Sequence, residues 1–171
     1  MKLLIVDDEE LTRTGVITSL DWASLGIDEV LQADDGVHGL ETARLCKPEI
    51  ILCDVRMPRM DGISMLERLE KFLPDTVPIF MSGYSDKEYL KAAIKLKAVN
   101  YIEKPFSISE IETAIREARE LLWSSIFVTL MANKIGGLQF GIYRNCQISS
   151  RVFHTAVAAL PLTKANRSDF E

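Results

Sequence analysis

Residues 50–62 read IILCDVRMPRMDG. Four apolar residues in succession lead to a single aspartate, and Pro58 and Gly62 then punctuate a short loop. A run apolar at every position, and too short for a helix, describes a strand buried on both faces, as in a parallel sheet. The same figure recurs on either side. Leu3-Leu-Ile-Val6, Val30-Leu31 with its flanks, Pro78-Ile-Phe-Met81 and Tyr101-Ile102 are further short apolar runs, each followed by an amphipathic stretch. Helix starts are expected at Ser64-x-x-Glu67, Ser85-x-x-Glu88 and Ser107-x-x-Glu110, three capping-box patterns. In the last of these segments Ile111, Ile115, Ala118 and Leu122 fall on one helical stripe. Asp35-Gly36, Asp61-Gly62 and Ser82-Gly83 read as turns between elements. The pattern predicts an α/β fold, (βα)5, with a doubly wound parallel sheet of five strands covered on both faces.

In such a sheet ligands collect beyond the carboxyl ends of the strands, where the strand order reverses. The residues placed at those ends are Asp7 and Asp8, Asp54, Ser82 and Lys104. Three carboxylates brought together raise one another's pKa, so positive charge must offset them. Lys104 supplies one charge, and a hard divalent cation with oxygen ligands is the natural second partner. Mg2+ suits a set of one or two carboxylates, waters and a phosphate oxygen. An aspartate held beside an ammonium and such a cation is placed to attack a phosphoryl group, forming an acyl phosphate.

Composition narrows the classes. The 171 residues are 47% hydrophobic and 26% charged, which excludes collagen, a disulfide scaffold and wholesale disorder. The net charge of −5 leaves no general basic footprint for nucleic acid. That charge is divided, −8 over residues 1–123 and +3 over 124–171. Cys46, Cys53 and Cys146 form no CxxC, so a reducing cytoplasmic setting is expected. No signal peptide is expected at the start. The apolar stretch 121–143 is split by Asn133-Lys134 and Gly136-Gly137 into halves shorter than the roughly 20 residues of a membrane span. Alternation turns Cys53 away from the face of Asp54, a core position and not a nucleophile. His38 and His154 lack metal-ligand spacing and read as surface polar residues.

Asp7-Asp8, Asp54 within Cys53-Asp-Val-Arg-Met-Pro-Arg-Met-Asp-Gly62, Ser82-Gly83 and Tyr101-Ile-Glu-Lys-Pro-Phe106 together resemble the receiver domain of two-component response regulators, in register from residue 1 to about 122. The resemblance implies a flavodoxin-like fold in which Asp54 accepts a phosphoryl group from a sensor histidine kinase. It implies that Asp7, Asp8, Asp54 and the backbone carbonyl of Arg56 hold Mg2+. Ser82 and Lys104 would contact the phosphoryl oxygens, and Pro105 would follow a cis peptide bond from Lys104. Ser82 and Tyr101 would form the switch, read out on the face of the fourth helix, fifth strand and fifth helix, through which the chain would also form a homodimer. Such a domain catalyses only its own phosphorylation and dephosphorylation. It is not an enzyme in the ordinary sense, and its expected place is the cytoplasm, with no membrane partner. Asp21-Trp22, Leu25-Gly26, Ser82-Gly-Tyr-Ser-Asp86 and Tyr89 are similar to receivers that precede an AraC-type DNA-binding domain.

Residues 123–171 are unassigned. Two strands at 126–131 and 138–143, and a short helix over 152–160 before Pro161, are the expected elements. An AraC-type output domain needs on the order of 100 residues, so this extension reads as a small interaction element, a truncated or reduced output region, or sequence out of context. Two functions follow. One is a phosphoacceptor module acting through a protein partner. The other is the sensor part of a DNA-binding regulator whose output domain lies outside this chain, DNA being a partner only then. A phosphatase of the haloacid-dehalogenase type would want Asp-x-Asp at the nucleophile, and Asp54-Val-Arg56 breaks that pattern.

Overall fold

The computed structural model describes residues 1–83 and 93–134, with side chains as far as Ser125. In chain order the elements are β1 (Lys2–Val6), α1 (Glu10–Ser19), β2 (Glu29–Ala33), α2 (Gly36–Cys46), β3 (Ile50–Asp54), α3 (Gly62–Leu69), β4 (Val77–Ser82), β5 (Asn100–Glu103) and a C-terminal helix (Ile108–Lys134). The five strands form one sheet in the order β2-β1-β3-β4-β5, every neighbour pair parallel. The order reverses between β1 and β3, so the crevice falls at their carboxyl ends.

The central strands β1 and β3 are buried almost throughout, which explains their unbroken apolar sequence. Leu4, Val6, Ile51, Cys53 and Phe80 meet Leu40, Ala43, Met65, Leu66 and Leu69 of α2 and α3 on one face of the sheet. Ile111, Ile115 and Ala118 of the C-terminal helix are fully buried, as their stripe predicted, and so is Ala114 beside them. Leu122, the fourth residue of that stripe, is only half-buried. The first compact unit is Met1–Arg119, and a second begins at Glu120, within the same helix.

The starts of the helices correct two readings of the sequence. Ser107 does form a capping box, its backbone N–H and hydroxyl donating to Glu110 Oε2 at 2.7 and 2.8 Å. Ser64 does not open its helix. Asp61 is the N-cap of α3, accepting from the Ser64 N–H at 2.8 Å, and Asp35 caps α2 in the same way. The Asp-Gly pairs are thus helix entries and not free turns, because a carboxylate satisfies the orphan N–H groups of a first turn better than solvent does. Ser85 lies outside the described residues.

The strand expected over residues 126–131 is not formed: the C-terminal helix runs through it to Lys134. Residues 108–134 contain neither Gly nor Pro, so nothing ends the helix, and the β-branched residues that suggested a strand carry only a weak, context-dependent preference. The expected elements at 138–143 and 152–160, and His154 and Cys146, lie outside the described residues. Among the described residues no helix is long and apolar enough to cross a membrane.

Candidate functional site

β1 ends at Val6, and the chain delivers Asp7 and Asp8 side by side with opposite exposures. Asp7 is fully buried and Asp8 exposed. Asp7 is fixed at several points: its N–H donates to the Ala33 carbonyl, its Oδ1 accepts from the Glu9 N–H at 2.9 Å, and its carbonyl accepts from the Arg13 guanidinium at 2.7 Å. β3 ends on Asp54, 7% exposed, whose Oδ1 accepts from the Arg56 N–H at 3.1 Å. Carboxylate oxygens of Asp7, Asp8 and Asp54 lie within 4.8 Å of one another.

Lys104 arrives from the opposite side of the site. It follows β5, its N–H donates to the Ser82 carbonyl at 2.7 Å, and its peptide bond to Pro105 is cis. Its ammonium donates to Asp7 Oδ2 at 2.8 Å and to Asp54 Oδ2 at 2.5 Å. Burial opposes the charge on Lys104, but the hydrogen bonds to Asp54 and Asp7 outweigh it and hold the pKa above the usual value. For Asp7 the balance runs the other way. Loss of water raises its pKa more than the Lys104 and Glu9 hydrogen bonds lower it. The site carries three carboxylates against one ammonium, so it is short of positive charge.

The donor set fits a hard divalent cation. Carboxylate oxygens alone converge, and no thiolate or imidazole joins them among the described residues. Cys53 is fully buried, its thiol donates to the Asp54 carbonyl at 3.1 Å, and burial pushes its pKa well up, all of which suit a core residue. The sequence placed it there.

Ser82 ends β4, buried, and Tyr101 sits in β5 beside Phe80, half-buried against the core. Asn100, Tyr101, Ile102 and Glu103 line an open groove of about 390 Å³ with Ser109, Glu110 and Thr113 of the C-terminal helix. The fourth helix expected after Gly83 falls largely on residues outside the described ones. His38 is exposed, with Nδ1 2.9 Å from Asp34 Oδ1.

Two further residues shape the site, one read in the sequence only as a turn glycine and the other not singled out there. Gly62 packs so tightly on the acceptor strand that a Cβ there would lie 2.1 Å from the Asp54 carbonyl oxygen and 2.6 Å from Cys53 Sγ. Arg13 was hidden because its tie is to the backbone of Asp7, six residues earlier; an arginine about one turn into the helix after the paired acids was the available signal.

Comparison with known proteins agrees with this fold. The family described as response regulator receiver domain matches residues 3–116. The transcriptional regulatory protein HptR of Staphylococcus aureus (strain N315) is 34% identical over 122 residues, covering 71% of this chain and 48% of that protein. The chain therefore spans about half the length of such relatives. Among solved structures, a two-component transcriptional regulator AraC from Clostridium phytofermentans ISDg is 49% identical with a TM-score of 0.68, over 72% of this chain and 96% of that one. The REC domain of AraT, a response regulator from Geobacillus stearothermophilus, is 31% identical with the same TM-score and the same coverage of both chains. The family match begins in the first strand and ends in the last helix of the sheet domain, enclosing every acid and base of the site, and the chain belongs to the response regulator receiver domain family.

Proposed function

We propose that this chain is the phosphoacceptor of a two-component pathway, with Asp54 as the residue that takes the phosphoryl group from a phosphohistidine of a sensor kinase. One observation carries the reading. Lys104 bridges Asp7 and Asp54 at the strand-order reversal while Asp8 stands within 4.8 Å of both, an arrangement with no evident structural purpose. An Oδ atom of Asp54 forms the new bond to phosphorus. The phosphorus–nitrogen bond breaks, and its electron pair stays on the imidazole. Lys104 balances charge on the phosphoryl oxygens and Ser82 donates to one of them. Asp7, Asp8, Asp54 and the Arg56 carbonyl would hold Mg2+, which when bound supplies the remaining positive charge at the transferring oxygens.

Signal output would follow from Ser82 and Tyr101. A hydroxyl drawn to the phosphoryl group vacates space behind it, and a half-buried tyrosine one strand away is the side chain placed to fill it. The face of the fourth helix, β5 and the C-terminal helix then presents a changed surface to a partner or to a second copy. In population terms the phosphoryl group favours one of two states already sampled. Incubation with Mg2+ and acetyl phosphate, which releases acetate, should add one acid-labile phosphoryl group per chain. Asp54→Asn should abolish it, and labelling that survives the substitution would refute the assignment.

Control of transcription is the output we favour, on the likeness to HptR and to an AraC-type regulator. It requires a DNA-binding region in the whole protein. Phosphorylation-dependent retardation of promoter DNA by the full-length protein would support it, and phosphorylation-dependent capture of a protein partner without DNA binding would favour the alternative.

A further inference from the structure

The loop between β3 and α3 carries Arg56, and it is tied on its outer side to the start of α2. Asp35 is fully buried there. Its Oδ1 accepts from the Val37 and His38 N–H groups at 2.7 and 2.9 Å, a complete helix cap. Its Oδ2 is also buried and ion-pairs with the guanidinium of Arg59. Arg59 reaches Asp34 as well, at 3.8 Å. A cap needs one carboxylate oxygen and no counterion. The second oxygen and its arginine therefore do something else.

The backbone points the same way. Arg59 holds φ at 65°, a left-handed conformation that costs any residue but glycine, so a glycine here would be the easier choice for the turn. The next residue, Met60, accepts from the Gly36 N–H at 3.2 Å, and a Cβ on Gly36 would lie 2.4 Å from that same carbonyl oxygen. Side chain and backbone thus join two loops at adjacent positions. This tie at residues 59–60 and the contact of Gly62 with Asp54 both fix the part of the loop that follows the Arg56 carbonyl.

The geometry points to Arg59 and Asp35 as a positioning pair for the metal site, an ion-pair latch that holds the Arg56 carbonyl in place for a divalent cation. This rests on the metal reading above. Removing the latch leaves Asp7, Asp8 and Asp54 untouched but frees the loop, so cation affinity falls while the chemistry at saturating cation is preserved. Support for a ligand from outside the coordination sphere commonly changes metal affinity by about 10-fold or more.

The test is a Mn2+ titration of the full chain, read from the electron paramagnetic resonance signal of free Mn2+. Arg59→Gly removes the cation and suits the left-handed turn; Asp35→Asn keeps an oxygen for the cap and removes the charge. Each should raise the Mn2+ dissociation constant about 10-fold, and the double variant should be no weaker than either alone. The Mg2+ concentration giving half-maximal labelling by acetyl phosphate should rise in step, with the rate at saturating Mg2+ unchanged. Dissociation constants within about twofold of wild type for both variants would overturn the latch. Multiplying effects in the double variant would overturn the pairing. If wild type shows no Mn2+ site that Asp8→Asn abolishes, the metal reading itself fails and the latch with it.

Discussion

Removing the one cation of the site should damage the fold far more than removing one of its acids, although both substitutions delete a member of the same ion pair. Lys104 stands 2.8 Å from Asp7 and 2.5 Å from Asp54. At an effective dielectric of about 20 those contacts are worth roughly 6 and 7 kcal/mol of gross attraction. Lys104→Met forfeits both and relieves no repulsion, leaving a buried Asp7 without its counterion. Breaking a buried pair in this way costs about 3–5 kcal/mol net. With 19% of the Lys104 side chain exposed, water screens part of it, and we expect about 3 kcal/mol. Asp54→Asn forfeits the roughly 7 kcal/mol attraction to Lys104 as well. It also abolishes repulsion from Asp7 and Asp8, whose oxygens lie within 4.8 Å, at about 3.5 kcal/mol or more each. Gain and loss nearly cancel, so Asp54→Asn should stay within about 1 kcal/mol of wild type.

Urea unfolding followed by far-UV circular dichroism, with Mg2+ chelated, separates the two cases. At a slope of about 1.5 kcal/mol per molar urea, Lys104→Met should lower the midpoint by roughly 2 M and Asp54→Asn by less than roughly 0.7 M. Saturating Mg2+ should restore more stability to Lys104→Met than it adds to wild type, because the variant site has a larger charge deficit. Equal midpoints for Lys104→Met and wild type would refute the reasoning, and so would equal losses in the two variants.

Gly62→Ala should cost about 1–3 kcal/mol by overpacking and should slow labelling of Asp54, since the added methyl meets the Asp54 carbonyl oxygen; calorimetric melting and acetyl phosphate kinetics on the same sample check both. Arg56 is exposed beside the acceptor and should crowd the approach of water, so Arg56→Asn should shorten the lifetime of the acyl phosphate, measured as decay of the labelled chain after donor removal. Glu110 is held below its ordinary pKa by the Ser107 N–H and hydroxyl, so its contribution is fully present above the ordinary carboxyl value and is lost as pH falls through the lowered one. Melting temperatures between neutral pH and about pH 3 should fall less steeply for Glu110→Gln than for wild type, and parallel curves would remove the capping box as a source of pH dependence.

What the sequence made plain and what it hid follow from the range of the interactions. The strands were legible because burial on both faces leaves no polar position to disguise them: β1 and β3 read as unbroken apolar runs. Asp7, Asp54 and Lys104 were legible because a parallel sheet sends every strand's carboxyl end to one edge, so residues far apart in sequence converge by topology alone. The tie between Asp35 and Arg59 has no such rule behind it. It joins two loops whose approach depends on the packing of α2 and α3, and Asp35-Gly36 resembles any other turn dipeptide. The run at 126–131 misled for a related reason, since strand preference is decided by the surface a segment packs on and not by its own residues.

If Asp54 takes a phosphoryl group as proposed, the charge balance makes Lys104 the part expected to move. Three acids and one ammonium leave the site two charges negative, and a divalent cation would bring it to neutrality. Phosphorylation of Asp54, as proposed, turns the carboxylate that Lys104 now holds at 2.5 Å into the nearly neutral acyl part of an acyl phosphate, while negative charge appears on the phosphoryl oxygens beyond it. The ammonium then has better partners farther out, and Asp7 alone retains its claim on it. Lys104 is tied through its N–H to the Ser82 carbonyl, so in the proposed phosphotransfer a shift of the lysine would pull on the end of β4, next to the Ser82 hydroxyl. From Ile79 to Ser82, β4 is paired with β5, which carries Tyr101. In the proposed phosphotransfer, a redistribution of one unit of charge at the strand ends would thereby be linked, through two hydrogen-bonded strands, to the half-buried Tyr101.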